Sequence, residues 1–324
     1  MRGGAHAEVE AFESARSAGN DITGATMYVS LEPCAHHGRT PPCADAILEH
    51  RIARVVIGTQ DPDRASSGGM RRLMDGGVTV DVAADRIAEE LIEDFAIAAN
   101  SAGPYVTLKM AASLDGFVGA KAGSTWLSGE RAREFVRELR IAHDAVLVGA
   151  GTVRADDPLL TVRPAHARRK PYVRIVACAS KPVPAGARVF QPVEGYARTI
   201  VLAPAGRRKR FAELEEIANV VYVGGEGTTW HDPGLALAEL RKLGISSVLC
   251  EGGPKLAAAL LEHRLVDRLH WIVTPHLLAN DDAQPALDGA DFASITPNVR
   301  FDNVERLGED VLLSARVTAA QFAP

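Results

Sequence analysis

The chain has 324 residues, four cysteines and a formal net charge of −5, with 47% apolar and 24% charged residues. That length suggests about two domains, and the acidic balance gives no support for a general nucleic-acid binder. No apolar run is long enough for a membrane helix, the N-terminus lacks the apolar core of a secretory leader, and the few cysteines fit a reducing, cytoplasmic setting.

Residues 7–18 read as a helix with His6 and Glu8 at its start, and residues 25–31 as a strand. A helix is expected over 43–50, a buried strand over 54–60, a helix over 69–75 and a strand over 78–82. The spacing of Ile87, Leu91, Phe95 and Ala98 predicts one long amphipathic helix over 85–102, broken by Gly103-Pro104. The boundary is placed there, giving domains 1–102 and 103–324.

Further strands are expected over 105–112, 145–149, 172–177, 199–203, 219–223, 247–250 and 268–277, with helices over 130–143, 211–218, 235–243 and 255–263. Residues 300–306 and 310–317 read as two antiparallel strands closing the sheet. Such alternation of strands and helices implies an α/β protein with mainly parallel sheets. Two basic runs, Arg168-Arg169-Lys170 and Arg207-Arg208-Lys209-Arg210, fall between strands and read as solvated loops.

Chemistry concentrates in His6-Ala7-Glu8 and in Pro33-Cys34, followed after eight intervening residues by Cys43. One histidine and two cysteines can hold zinc with a fourth position open to water, and a nearby glutamate can carry protons. Zinc deaminases show this pattern as His-x-Glu followed by Pro-Cys-x-x-Cys; here the second cysteine comes later. In the second half, Cys250-Glu251-Gly252-Gly253-Pro254-Lys255 reads as a strand, two glycines and a helix start. That turn suits close approach of a phosphate, although alone it is as readily a ligand-free connection. Gly149-Ala150-Gly151-Thr152 is a similar turn, and no G-x-G-x-x-G fingerprint follows the strand at residue 145.

The run LEPCAHHGRTPPCADA, together with HAEV, resembles the bifunctional deaminase/reductase family of riboflavin biosynthesis. The resemblance continues through LKMAASLDG, VGAGTVRADDPLLTVR and CEGGPKL. It implies two three-layer αβα domains, cytidine-deaminase-like followed by dihydrofolate-reductase-like, with Zn²⁺ and NADPH as cofactors. The zinc would be held by His6, Cys34 and Cys43, with Glu8 catalytic. The nicotinamide nucleotide would meet Ala111, Trp126, Thr152 and Asp156, and its phosphates Gly253, Pro254, Lys255, Leu256, Ala257, Ala258 and Ala259. Ser124, Arg140, Leu160, Arg163 and Glu251 would correspond to substrate positions, the arginines suiting a ribose phosphate. Singly, Trp126 could be plain core and Arg140 a surface residue.

The implied substrate is a phosphoribosylaminopyrimidine, deaminated and then reduced at its ribosyl group, by a homo-oligomer with no nucleic-acid or membrane partner. Three departures stand out. The chain starts immediately before His-x-Glu, where the family has a helix and two strands, so either a shortened deaminase domain or an internal methionine taken as the start is expected. Asp61-Pro62-Asp63-Arg64 differs from the family pattern, as does Val176-Ala177-Cys178-Ala179. A reductase with a merely structural first domain, and a paralogue acting on a related pyrimidine, therefore stay open. A nucleic-acid-editing deaminase is disfavoured by the acidic chain and its 5% aromatic content.

Overall fold

The computed structural model describes residues 5–37, 41–63, 66–120, 127–168, 170–225, 232–278, 283–289 and 298–318. The chain divides into two compact units, Met1–Ser101 and Ala102–Pro324.

The first unit runs α1 (Ala7–Ser17), β1 (Thr26–Leu31), α2 (Cys43–Glu49), β2 (Arg54–Thr59), α3 (Gly69–Asp75), β3 (Thr79–Val82), α4 (Arg86–Leu91) and α5 (Glu93–Asn100). Its described strands form a parallel sheet in the order β1-β2-β3. Phe12 of α1, Ala44 and Ile47 of α2 and Leu73 of α3 share one core with Val55 and Ile57 of β2. Burying aliphatic side chains of this size stabilises by about 1.5–3 kcal/mol each. α4 meets the sheet at Gly58, where a Cβ would come within 2.6 Å of the Ala88 Cβ and 2.8 Å of the Ser30 carbonyl oxygen. Only a glycine lets helix and strand approach so closely.

One expectation fails here. Residues 85–102 form two helices rather than one, because Ile92 leaves helical geometry at φ −109° and ψ 8°. The Asp85 carboxylate caps α4 by accepting from the Ile87 and Ala88 N–H groups at 2.8 and 3.0 Å. The break interrupts the 3.6-residue register, so the stripe read from sequence is divided: Ala98 is buried, whereas Ile87 and Leu91 stay about 70% exposed (71% and 69%).

The second unit begins with β4 (Tyr105–Ser113) and β5 (Phe117–Ala120), then α6 (Glu130–Ala142), β6 (Ala145–Gly149), α7 (Ala150–Asp156), β7 (Val173–Ala177) and β8 (Ile200–Pro204). A 3-10 turn at Ala205–Arg210 leads to α8 (Ala212–Glu215), β9 (Asn219–Val223), α9 (Pro233–Lys242), β10 (Ser247–Cys250) and α10 (Pro254–Glu262). β11 (Arg268–Thr274), β12 (Ala283–Pro285), β13 (Asn298–Leu307) and β14 (Asp310–Thr318) complete it.

Among the described residues its main sheet has nine strands in the order β13-β14-β11-β4-β10-β6-β7-β8-β9. The run from β11 to β9 is parallel, and β14 and β13 add to it antiparallel, as the two C-terminal strand patterns predict. Central strands are apolar on both faces: Val106, Leu108, Leu147, Ile175, Leu202 and Val248 lie in one core, and Val146, Val148, Val176 and Val201 in another. The ribbon β5–β12 and the helix α7 carry no clear sequence signal and were not expected. The strand expected to reach residue 277 stops at Thr274, and the helix expected from 211 is one short turn after the 3-10 segment.

Candidate zinc and nucleotide sites

His6 stands at the start of α1, Cys34 in the loop after β1 and Cys43 at the first position of α2. Their ligand atoms all lie within 4.8 Å of one another. The His6 Nδ1 is 3.1 Å from the Cys43 Sγ and 3.7 Å from the Cys34 Sγ, while the Cys43 N–H donates to the Cys34 Sγ at 3.3 Å. Burial, then the neighbouring Glu8 carboxylate and Cys34 thiol, push the Cys43 thiol well above its ordinary range. A divalent cation among these groups reverses that balance, because it favours the thiolate. The donor set fits zinc: one imidazole and two sulfurs converge, with buried Cys43 behind and exposed His6 in front. Glu8, half-buried in the first turn of α1, sits against Cys43.

Glu32 is a residue that sequence reasoning missed. It is buried, and its carboxylate accepts from three backbone N–H groups: Asp61 at 3.2 Å, Gly68 at 3.0 Å and Met70 at 3.0 Å. The Ala35 N–H in turn donates to the Ser66 carbonyl at 3.2 Å. Glu32 therefore ties the 61–70 segment to the cysteine loop. Gly69 seals the contact, since a Cβ there would fall 1.6 Å from the Pro33 carbonyl oxygen. The signal was present as Glu32-Pro33-Cys34, but a carboxylate's partners 29 to 38 residues away leave no local pattern.

In the second unit Arg140 of α6 reaches Glu251, just past β10. Its Nη2 donates to Glu251 Oε2 at 2.7 Å, its Nε to Oε1, and its Nη1 to the Thr161 carbonyl at 2.8 Å. The guanidinium fork, read from sequence as suited to a ribose phosphate, is turned onto a carboxylate. Burial alone would push Glu251 up, but Arg140, followed by Lys109 and His143, outweighs it and holds the carboxyl below its usual range. Lys109, mid-strand in β4, is a second residue that sequence reasoning passed over. Burial lowers its pKa; Glu251 opposes that shift and Arg140 adds to it. A lysine within the apolar run Val106-Thr107-Leu108-Lys109-Met110 was the available signal.

Leu160, buried with φ +55°, shares a small pocket with Arg140, Val162, Tyr172 and Tyr196. Arg163 is exposed nearby in sequence, and Ser124 and Trp126 lie outside the described residues.

The Gly252-Gly253 turn has φ +89° and +88°. A Cβ at Gly252 would meet the Met110 Sδ at 3.0 Å, and one at Gly253 the Thr152 Oγ1 at 3.1 Å. Gly253 opens α10, whose first turn carries Pro254 and the unpaired N–H groups of a helix start, with Lys255, Leu256, Ala257, Ala258 and Ala259 following. The Gly252 carbonyl accepts from the Gly149 N–H at 3.1 Å and, more weakly, from the Thr152 hydroxyl at 3.4 Å. The turns after β6 and β10 thus meet at the carboxyl ends of adjacent parallel strands, where open α/β sheets bind ligands. Ala111 lies on β4 beside them and Asp156 ends α7. This cradle fits a dinucleotide phosphate.

Comparison with known proteins agrees with both halves. The model of the cytidine and deoxycytidylate deaminase zinc-binding region matches residues 2–59, and that of the RibD C-terminal domain matches residues 104–313. The riboflavin biosynthesis protein RibD of Bacillus amyloliquefaciens is 36% identical over 318 residues, 97% of this chain and 84% of the relative. A crystal structure of the Thermotoga maritima diaminohydroxyphosphoribosylaminopyrimidine deaminase/5-amino-6-(5-phosphoribosylamino)uracil reductase is 34% identical, with a TM-score of 0.81 over 98% of this chain and 86% of that one. Acinetobacter baumannii RibD superposes with a TM-score of 0.80 at 31% identity, again over 98% and 86% of the two chains. With a zinc-type donor set in one unit and a nucleotide cradle in the other, the chain belongs to the RibD family of riboflavin biosynthesis, bifunctional enzymes that join a zinc-dependent deaminase to an NADPH-dependent reductase.

Proposed function

We propose that both half-reactions run in this chain on a phosphoribosylaminopyrimidine, and that the residues described above divide the work. The observation that carries this reading is the convergence of His6, Cys34 and Cys43 with Glu8 beside them, in a chain that also keeps the Gly252-Gly253 cradle.

His6, Cys34 and Cys43 would hold zinc, which when bound supplies the Lewis acidity that makes water a nucleophile near neutral pH. Glu8 takes one proton from the attacking water and delivers it to the ring nitrogen, then relays the second from the resulting hydroxyl to the departing amine. Water's oxygen replaces the exocyclic nitrogen, which leaves as ammonia. Glu32 fixes the loop that carries Cys34, so the site is pre-set before substrate arrives.

In the second unit the Gly252-Gly253 turn, Thr152 and the start of α10 bind the NADPH phosphates, with Ala111 and Asp156 near the nicotinamide. The cofactor supplies hydride to the ribosyl carbon attached to nitrogen, and the opened sugar takes up one proton. Lys109 is the candidate donor of that proton: burial lowers its pKa, and the nearby Glu251 charge opposes that shift. Arg140 fixes Glu251, and Leu160 and Arg163 border the substrate. The working form is a cytoplasmic homo-oligomer.

The test is NADPH oxidation followed by absorbance when the undeaminated substrate is supplied with zinc. Turnover is expected. Turnover only with the pre-deaminated substrate would leave a reductase with an inactive first unit, and silence with both would point to a different pyrimidine.

A further inference from the structure

Leu160 is buried at φ +55°, a left-handed conformation that a non-glycine residue keeps only when its surroundings hold it. Side chains from three distant parts of the second unit hold the residues around it. Arg140 of α6 donates to the Thr161 carbonyl at 2.8 Å. Arg174 of β7 donates through Nη1 to the Leu159 carbonyl at 3.5 Å and through Nη2 to the Gln191 carbonyl at 2.9 Å. Tyr196, ahead of β8, accepts from the Val162 N–H at 2.7 Å through its hydroxyl oxygen. Arg140 also fixes Glu251, which leaves Arg174 and Tyr196 as the two anchors without a part in the chemistry.

These two residues belong to one stacked column. The Arg174 guanidinium lies over the Tyr196 ring at 5.4 Å from its centroid, Tyr196 stacks on Tyr172 at 5.1 Å, and Arg168 lies over Tyr172 at 4.7 Å. A backbone bridge between Tyr172 and Tyr196 sets the two rings side by side. Arg174 is only 2% exposed, and burial lowers its pKa. Withdrawing a guanidinium from water is costly, and among the described residues its hydrogen bonds end on backbone carbonyls. Tyr172, Tyr196, Leu160 and Val162 line one small pocket with Arg140. We infer that Arg174 and Tyr196 are positioning residues of the reductase, which lock residues 159–162 in the conformation that presents Leu160 to the pyrimidine substrate and so set its KM. The inference rests on the reading that Leu160 and Arg163 border that substrate. Because the two anchors bond to residues 159, 162 and 191 rather than to the Gly252-Gly253 turn, the effect falls on the pyrimidine and not on NADPH.

Steady-state reduction of the pre-deaminated phosphoribosylaminopyrimidine by the full-length protein separates the two affinities. Tyr196→Phe deletes one hydroxyl, leaves the Val162 N–H without its acceptor and keeps the ring stack. KM for the pyrimidine should rise by about 10-fold, with kcat within about twofold and KM for NADPH unchanged. Arg174→Lys keeps the charge but loses the fork, and should raise the same KM. Thermal unfolding checks that both variants fold; Tyr196→Phe suffices alone should Arg174→Lys be damaged. An unchanged pyrimidine KM in folded Tyr196→Phe overturns this positioning role only, as does an equal rise in KM for both substrates. A wild type that does not reduce this pyrimidine overturns the proposed function, and the positioning role along with it.

Discussion

Arg140 and Glu251, 111 residues apart, face each other as a two-point ion pair, and the arginine's remaining edge is tied to the Thr161 carbonyl. With side chains 20% and 10% exposed, the pair is largely withdrawn from water. Removing one partner strands the other charge, so Arg140→Ala should cost about 3 kcal/mol in urea unfolding of the second unit. Glu251 has a lowered pKa in the folded state, so its contribution is present above the ordinary carboxylate value of 4.5 and is lost as pH falls through the folded value. Wild type should therefore lose stability on that acid limb, and Arg140→Ala should show a shallower one.

Glu8→Gln tests the proton carrier. Ammonia release should fall by about 100-fold or more. Reduction of the pre-deaminated substrate should be unaffected, and zinc should remain bound. Equal loss in both assays would remove the case for two separate sites.

Zinc content follows from the donor geometry. Cys43→Ser, at the buried ligand, should abolish stoichiometric zinc measured by atomic emission on the purified protein. Glu8→Gln provides the control, since a proton carrier that is not a ligand leaves the metal in place. A Cys43→Ser protein that keeps full zinc would rule out this ligand set.

Gly69→Ala places a methyl group against the Pro33 carbonyl rather than against a movable side chain. Backbone must shift, at a cost of about 1–3 kcal/mol, and the shift acts on the loop bearing Cys34. Thermal unfolding should report a lower midpoint for the first unit together with reduced zinc retention under chelator.

His270 supplies a second pH signature. Burial, then Arg268 and His143, pull its pKa down to about 4 from 6.5, and its Nδ1 pairs with the Ser314 hydroxyl at 2.9 Å. Below pH 6.5 the unfolded chain takes up a proton that the folded chain refuses. Stability should then fall by roughly 1.4 kcal/mol per pH unit as pH drops towards 4, and level off below it. His270→Gln should flatten that slope in denaturant titrations at stepped pH.

Much of this protein is decided locally. The order of most strands and helices follows from apolar periodicity and glycine breaks, with shifts of a few residues at most ends; β5, β12, α7 and the break between α4 and α5 are the exceptions. The convergence of the three donors was legible as well, because His-x-Glu and Pro-Cys are short motifs whose residue types suggest metal chemistry, and the fold brings His6, Cys34 and Cys43 within 4.8 Å. What the tertiary structure alone decided is partnership. Nothing near Glu32 in sequence says that its carboxylate will hold three backbone N–H groups of the 61–70 segment, and nothing near Lys109 says that it will share Glu251 with Arg140. The division of residues 85–102 at Ile92 likewise left no mark in the sequence, whose periodicity was continuous. Local signals fix which conformation a segment prefers; charges and buried hydrogen-bonding groups find their partners only when distant segments are brought together, and those partners determine pKa, position and chemistry.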